Sequence, residues 1–116
     1  MRLQEMADIL AAEFNVAPPK VVIGGRRKKG AAYYPGFKTI YIPFQGTWRG
    51  TEHSMLHEFA HHLTDAKTDW RLTRPHGREF IECLRVVVLA WFGDLDKYNW
   101  KTEYKSIRAW YDRRAK

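Results

Sequence analysis

Residues 55–65 read MLHEFAHHLTD, and the organisation of the chain follows from how this stretch is folded. As a helix it stacks His57 and His61, four residues apart, on one face, with Cβ atoms roughly 5–6 Å from one another. At about 100° per residue, His57, Glu58, His61, Ser54 and Asp65 share a sector of about 100°. Met55, Leu56, Phe59, Ala60 and Leu63 lie opposite. The spacing predicts a helix from about Glu52 to Thr64, N-capped by Thr51, with an apolar face for the core and a polar face for a cleft. His62 and His53 fall outside the centre of the polar sector and read as structural histidines.

Upstream, Leu3, Met6, Ala7, Leu10 and Phe14 recur at helical spacing, which predicts a first helix over residues 2–14. Pro18 and Pro19 bar its continuation. KVVIGG is a short strand candidate ending in a glycine turn. AAYYPGFKTIYIP reads as two extended segments about Pro35-Gly36. Its Thr39–Ile42 portion is rich in strand formers, and Pro43 points to a sheet edge. Downstream, Phe80, Leu84, Val87, Val88 and Trp91 form the apolar stripe of a second long helix, which Phe92-Gly93-Asp94 ends. Trp100, Tyr104, Ile107 and Tyr111 fit one face of a last helix, as core rather than as a base-stacking platform. The order of elements implies α+β, with a small antiparallel or mixed sheet packed with about four helices.

The chain has 116 residues, which suits a single domain over 1–116. Five Trp and 45% apolar residues support a packed core rather than disorder. The formal charge of +7 favours an anionic partner, with nucleic acid the usual candidate. Arg26, Arg27, Lys28 and Lys29 are the candidate phosphate contacts, together with the basic tail from Lys101 to Lys116. The longest apolar run, Val86–Phe92, is far too short to span a bilayer. Glu5 and Asp8 interrupt any signal peptide. The expectation is a cytoplasmic protein with no membrane partner; its oligomeric state is not legible. The lone Cys83 rules out an intramolecular disulfide and a cysteine-built metal cluster, and is expected to be buried.

His57-Glu58-Phe59-Ala60-His61 fits H-E-x-x-H, in which two imidazoles bind one Zn²⁺ and the glutamate reaches a water on the metal. A third ligand is required. A metzincin would need Gly at 64 and His at 67, where this chain has Thr64 and Lys67. Glu79 or Glu82 on the next helix could serve. Asp65 is better suited to accept a hydrogen bond from a ligand histidine. His76, fifteen residues after His61 and just ahead of a helix, is the best fit, and three histidines leave a fourth position open for catalysis.

HEFAHH followed by PHGREF resembles the SprT-like zinc metallopeptidases, whose pattern is H-E-x-x-H and then His-Gly-x-x-Phe opening the next helix. The resemblance covers roughly residues 37–92. It implies a minigluzincin-like zincin fold, of the kind found in small metallohydrolase-like proteins of actinobacteria and their phages. It implies His57, His61 and His76 as ligands of one Zn²⁺ and Glu58 as catalytic base and acid. The best-known relatives act as DNA-dependent proteases on DNA-bound proteins. These 116 residues, with their single cysteine, contain no cysteine-rich zinc ribbon of the kind many such relatives carry.

The expected function is that of a zinc metallopeptidase, hydrolysing peptide bonds by Glu58-assisted attack of water activated on the zinc. Its substrate would be a protein or peptide, with DNA-associated proteins one candidate class. The substrate is expected to pair with the Thr39–Ile42 edge, with Tyr41 or a neighbouring tyrosine near the oxyanion. Two alternatives follow from the same residues. One is a non-enzymatic nucleic-acid-binding domain with structural zinc. The other is a repressor-cleaving metalloprotease, for which an acidic third ligand is expected.

Overall fold

The computed structural model of the protein describes residues 2–24, 30–43 and 47–114, apart from the Trp70 side chain. Helix α1 (Leu3–Glu13) buries Leu3, Met6, Ala7, Leu10 and Ala11, the residues that recur at three- and four-residue intervals. Asn15 leaves it with φ 55°, a left-handed conformation that asparagine tolerates. Gln4 then ties α1 to β1 (Lys20–Ile23). Its amide nitrogen donates to the Pro19 carbonyl at 2.9 Å, and its amide oxygen accepts from the Val21 N–H at 2.9 Å.

β2 (Ala32–Tyr34) and β3 (Thr39–Ile42) flank a 3-10 turn at Pro35–Phe37. The strand order is β1-β3-β2, with β1 parallel and β2 antiparallel to β3. The sheet is therefore mixed, and β3 is its central strand, not the edge expected from Pro43. Pro43 stands one residue beyond the ladder, where its missing N–H interrupts no pairing. The neighbouring Ile42 carbonyl still accepts from Gly24 N–H at 2.9 Å. Ile40 and Ile42 point into the core, as a central strand covered by helices requires.

The central helix α2 (Trp48–Lys67) is longer than expected. Thr47, not Thr51, caps it, accepting from Gly50 N–H at 3.2 Å; Thr51 lies one turn inside, its hydroxyl bonded to the Thr47 carbonyl. Both threonines carry capping chemistry, and the upstream one gains the helix another turn. Its main packing partner is α3 (Arg78–Phe92), which ends where Gly93 takes φ 74° in a left-handed cap. Phe59, Leu63, Phe80, Leu84, Val87 and Val88 are fully buried within one continuous cluster that also holds residues of α1 and β3. Cys83 is buried as expected. No helix among the described residues is long and apolar enough to cross a membrane.

The C-terminal segment departs most from expectation. In place of one helix from Trp100, there are 3-10 turns at Leu95–Lys97 and Trp100–Thr102, and then α4 (Lys105–Arg114). The i, i+4 relation between Trp100 and Tyr104 thus spans a break. Trp100 and Ile107 enter the core, whereas Tyr104 stays 58% exposed.

Candidate metal centre

His57 and His61 project from the middle of α2, and His76 from the turn that leads into α3. The Nε2 atom of His76 lies 3.3 Å from that of His57 and 3.2 Å from that of His61. All three ligand-type atoms fall within 4.8 Å of one another, so the three histidines could hold a metal ion. Glu58, next to His57, is only 7% exposed and lines the same cavity of about 370 Å³. The polar sector of the wheel therefore faces this cavity through His57, Glu58, His61 and Asp65, while Ser54 borders a different one.

The backbone turn that delivers His76 is tight. Gly77 N–H donates to the Arg74 carbonyl at 3.1 Å, and a Cβ on Gly77 would meet the Arg74 Cβ at 3.0 Å. A side chain at 77 would fit only if the turn gave by a few tenths of an ångström. Phe80, one turn into α3, is fully buried and floors the site, with its ring centroid 4.2 Å from that of His61 and 5.0 Å from that of His57.

The C-terminal segment completes the centre, and the sequence reading missed it. Glu103, 5% exposed, lies 2.8 Å from Nδ1 of His57 through Oε2 and accepts from the Tyr98 hydroxyl. A carboxylate only accepts, so Nδ1 of His57 donates, and in the neutral ring the Nε2 lone pair is left for the centre. Tyr104 stacks on His76 with centroids 3.9 Å apart and planes 18° from parallel. The Ser106 hydroxyl donates to the His76 carbonyl at 2.9 Å. Glu103 is 46 residues from His57 in sequence, and nothing in its local pattern marks it as a partner.

Burial organises the protonation states. It drives the His61 pKa down to about 3 and that of His76 to about 4, with the His57 charge adding in both cases. Both imidazoles are thus kept neutral, the state in which a histidine can bind a metal. Burial also depresses His57, but the hydrogen bond and charge of Glu103, with the charge of Glu58, outweigh it and raise the pKa above the usual histidine value. Glu103 is the reciprocal case: burial would raise it, yet His57, Tyr98 and His53 hold it below the ordinary carboxylate range. Desolvation pushes Glu58 up to about 7, opposed by the His57 charge and assisted by that of Glu103.

Glu103→Gln keeps the size of the side chain but removes the charge that orients His57. Metal affinity is expected to fall about 10–100-fold, measured by competition with a chromophoric chelator. Unchanged affinity would reduce Glu103 to a packing residue.

Other residues singled out in the sequence fall elsewhere. Asp65 borders the cavity but accepts from Tyr33, at 2.9 Å, and from Lys38, not from a ligand histidine. His62 is buried and structural, as expected, with its ring nitrogens 2.7 Å from the Ala17 carbonyl and 3.0 Å from the Tyr33 hydroxyl. His53 stacks on Tyr98 outside the cluster. Glu79 and Glu82 are exposed, and Glu82 pairs with Arg85; neither belongs to the cluster. Tyr41 packs edge-on against Tyr34 and does not line the cavity; the tyrosines that do are Tyr33 and Tyr104. Arg26, Arg27, Lys28 and Lys29 lie outside the described residues.

Comparison with protein-family models, curated proteins and solved structures found no match to this chain.

Proposed function

We propose that this chain is a zinc-dependent peptide hydrolase of the SprT-like, zincin type, with His57, His61 and His76 as ligands and Glu58 as the proton-transferring residue. The observation that carries this reading is the convergence of three imidazole Nε2 atoms beside a buried glutamate in one open cavity. The spacing fits zinc. Nitrogen ligands about 2.0–2.1 Å from a tetrahedral ion stand about 3.3–3.4 Å apart, against the 3.2 and 3.3 Å found between His76 and its two partners. An all-nitrogen donor set with no cysteine also suits a catalytic rather than a closed structural site.

Zinc held there would supply Lewis-acid activation of water and of the scissile carbonyl. The chain supplies the rest. Glu58 takes the proton of the attacking water on its carboxylate and hands it to the leaving amine. Glu103 holds the His57 ring in register. The substrate strand is assigned to β2 rather than to the central β3. β2 is an edge strand of the sheet, and its Ala32 and Tyr33, with the preceding Ala31, border the cavity. An extended peptide can add to that edge through main-chain hydrogen bonds.

Tyr104 takes the place expected for Tyr41. Its hydroxyl has no hydrogen-bond partner among the described residues, whereas that of Tyr33 is held by Asp65 and His62. It can therefore donate to the oxyanion that forms on the substrate carbonyl. Tyr104→Phe is expected to lower kcat about 10²–10³-fold with metal content unchanged. Equal kcat would remove the hydroxyl from the chemistry. The function as a whole is tested by loading the protein with zinc, offering an unstructured protein such as casein, and identifying new termini by mass spectrometry. Absence of metal-dependent cleavage overturns it.

A further inference from the structure

The cavity lining contains few charges, and nearly all are committed. The three histidines and Glu58 form the metal centre. Asp65 is paired with Lys38 and takes the Tyr33 hydroxyl. Arg74 is the exception. It lines the cavity, it is exposed, and its side chain has no ionic or hydrogen-bonding partner among the described residues. Its backbone is fixed, because its carbonyl accepts from Gly77 N–H and Pro75 locks the next φ. That places an uncommitted guanidinium two residues from the ligand His76, in the lining of the cavity that β2 also borders.

We propose that Arg74 makes this cavity select substrates that carry a carboxylate next to the scissile bond. The proposal rests on the peptide-hydrolase reading for its substrate class. A guanidinium presents a planar fork of donors that matches a carboxylate in a bidentate pair. The net charge of +7 adds long-range attraction for an acidic segment. Of the two acidic groups in the lining, Glu58 belongs to the metal centre and Asp65 is paired with Lys38. The carboxylate can come from an Asp or Glu side chain or from the terminus of a peptide chain; the chemistry at Arg74 is the same.

The test uses the zinc-loaded full chain and one extended peptide in versions that differ at single points. The residue following the cleaved bond is Glu, Gln or Lys, and the C-terminus is a free acid or an amide. Two readouts are taken: kcat/KM with the unmodified protein, and the Kd of each peptide by calorimetry with Glu58→Gln, which is expected to keep its metal without turning over. The expected result is a preference of about 3–30-fold for one carboxylate version over its neutral counterpart, weakening with salt. The Glu versus Gln pair and the acid versus amide pair tell which carboxylate is read. In Arg74→Ala the ratio should collapse to one, and in Arg74→Glu it should invert in favour of Lys. Absence of a carboxylate preference, or a preference that survives Arg74→Ala, overturns the proposal. A protein that binds the acidic peptides through Arg74 but cleaves none overturns the hydrolase reading instead.

Discussion

Glu58→Gln is expected to abolish detectable peptide hydrolysis while the protein keeps its metal. The substitution is nearly isosteric, and the site is 7% exposed, so packing around the centre is retained. What disappears is the carboxylate to which the proposed mechanism assigns the proton transfer. General acid–base catalysis contributes about 10²–10⁴-fold, and the proposed mechanism gives this residue both halves of the transfer. Burial has already raised its carboxyl to about 7, so an uncharged amide at the same position relieves a desolvated acid rather than disrupting the fold. Stability should be unchanged or higher. The checks are metal content by elemental analysis, and single-turnover cleavage of a peptide followed by mass spectrometry. Retained hydrolysis by the zinc-loaded variant would remove Glu58 from the mechanism.

The second large effect is expected at His76. His76→Ala removes one of three nitrogen donors and leaves the two helix-borne histidines, which cannot complete a tetrahedral site. The helices persist, because His76 is half-exposed and sits on a turn rather than in the core. A bound metal at a thousand times its Kd stabilises a folded protein by about 4 kcal/mol. In the unmodified protein, adding zinc should therefore raise Tm by many degrees, and a chelator should reverse the rise. In His76→Ala that zinc-dependent shift should collapse. Glu79→Ala is the matched control: Glu79 is exposed and outside the cluster, so its variant should retain the full shift. If Glu79→Ala instead loses the shift and His76→Ala keeps it, the third ligand is acidic, and the repressor-cleaving alternative regains its basis.

These two experiments address residues that were readable in the chain, and there is a physical reason why they were. His57, Glu58 and His61 lie within five residues, and the pitch of one helix determines their shared face. His76-Gly77 is nearly as local: a histidine on a cramped turn, at the start of an amphipathic helix, with Phe80 one turn further in. The same locality misled at Pro43. A proline carries information about its own missing N–H but not about how many strands lie beside the residues before it. The last helix misled in a related way, since apolar spacing is blind to a break in the helix itself, and so Tyr104 was assigned to the core.

Residue order alone thus determined the α+β class, the cavity-facing sector of α2, and His76 as its complement. Only tertiary packing decided that β3 is central and β2 borders the cavity, that Glu103 supports His57 from 46 residues away, and that Tyr104 and Arg74 line the cavity. Local periodicity is dictated by backbone geometry and can be read along the chain. Which side chain meets which across the core depends on how all the elements bury their apolar faces at once, and that is specified by no single segment.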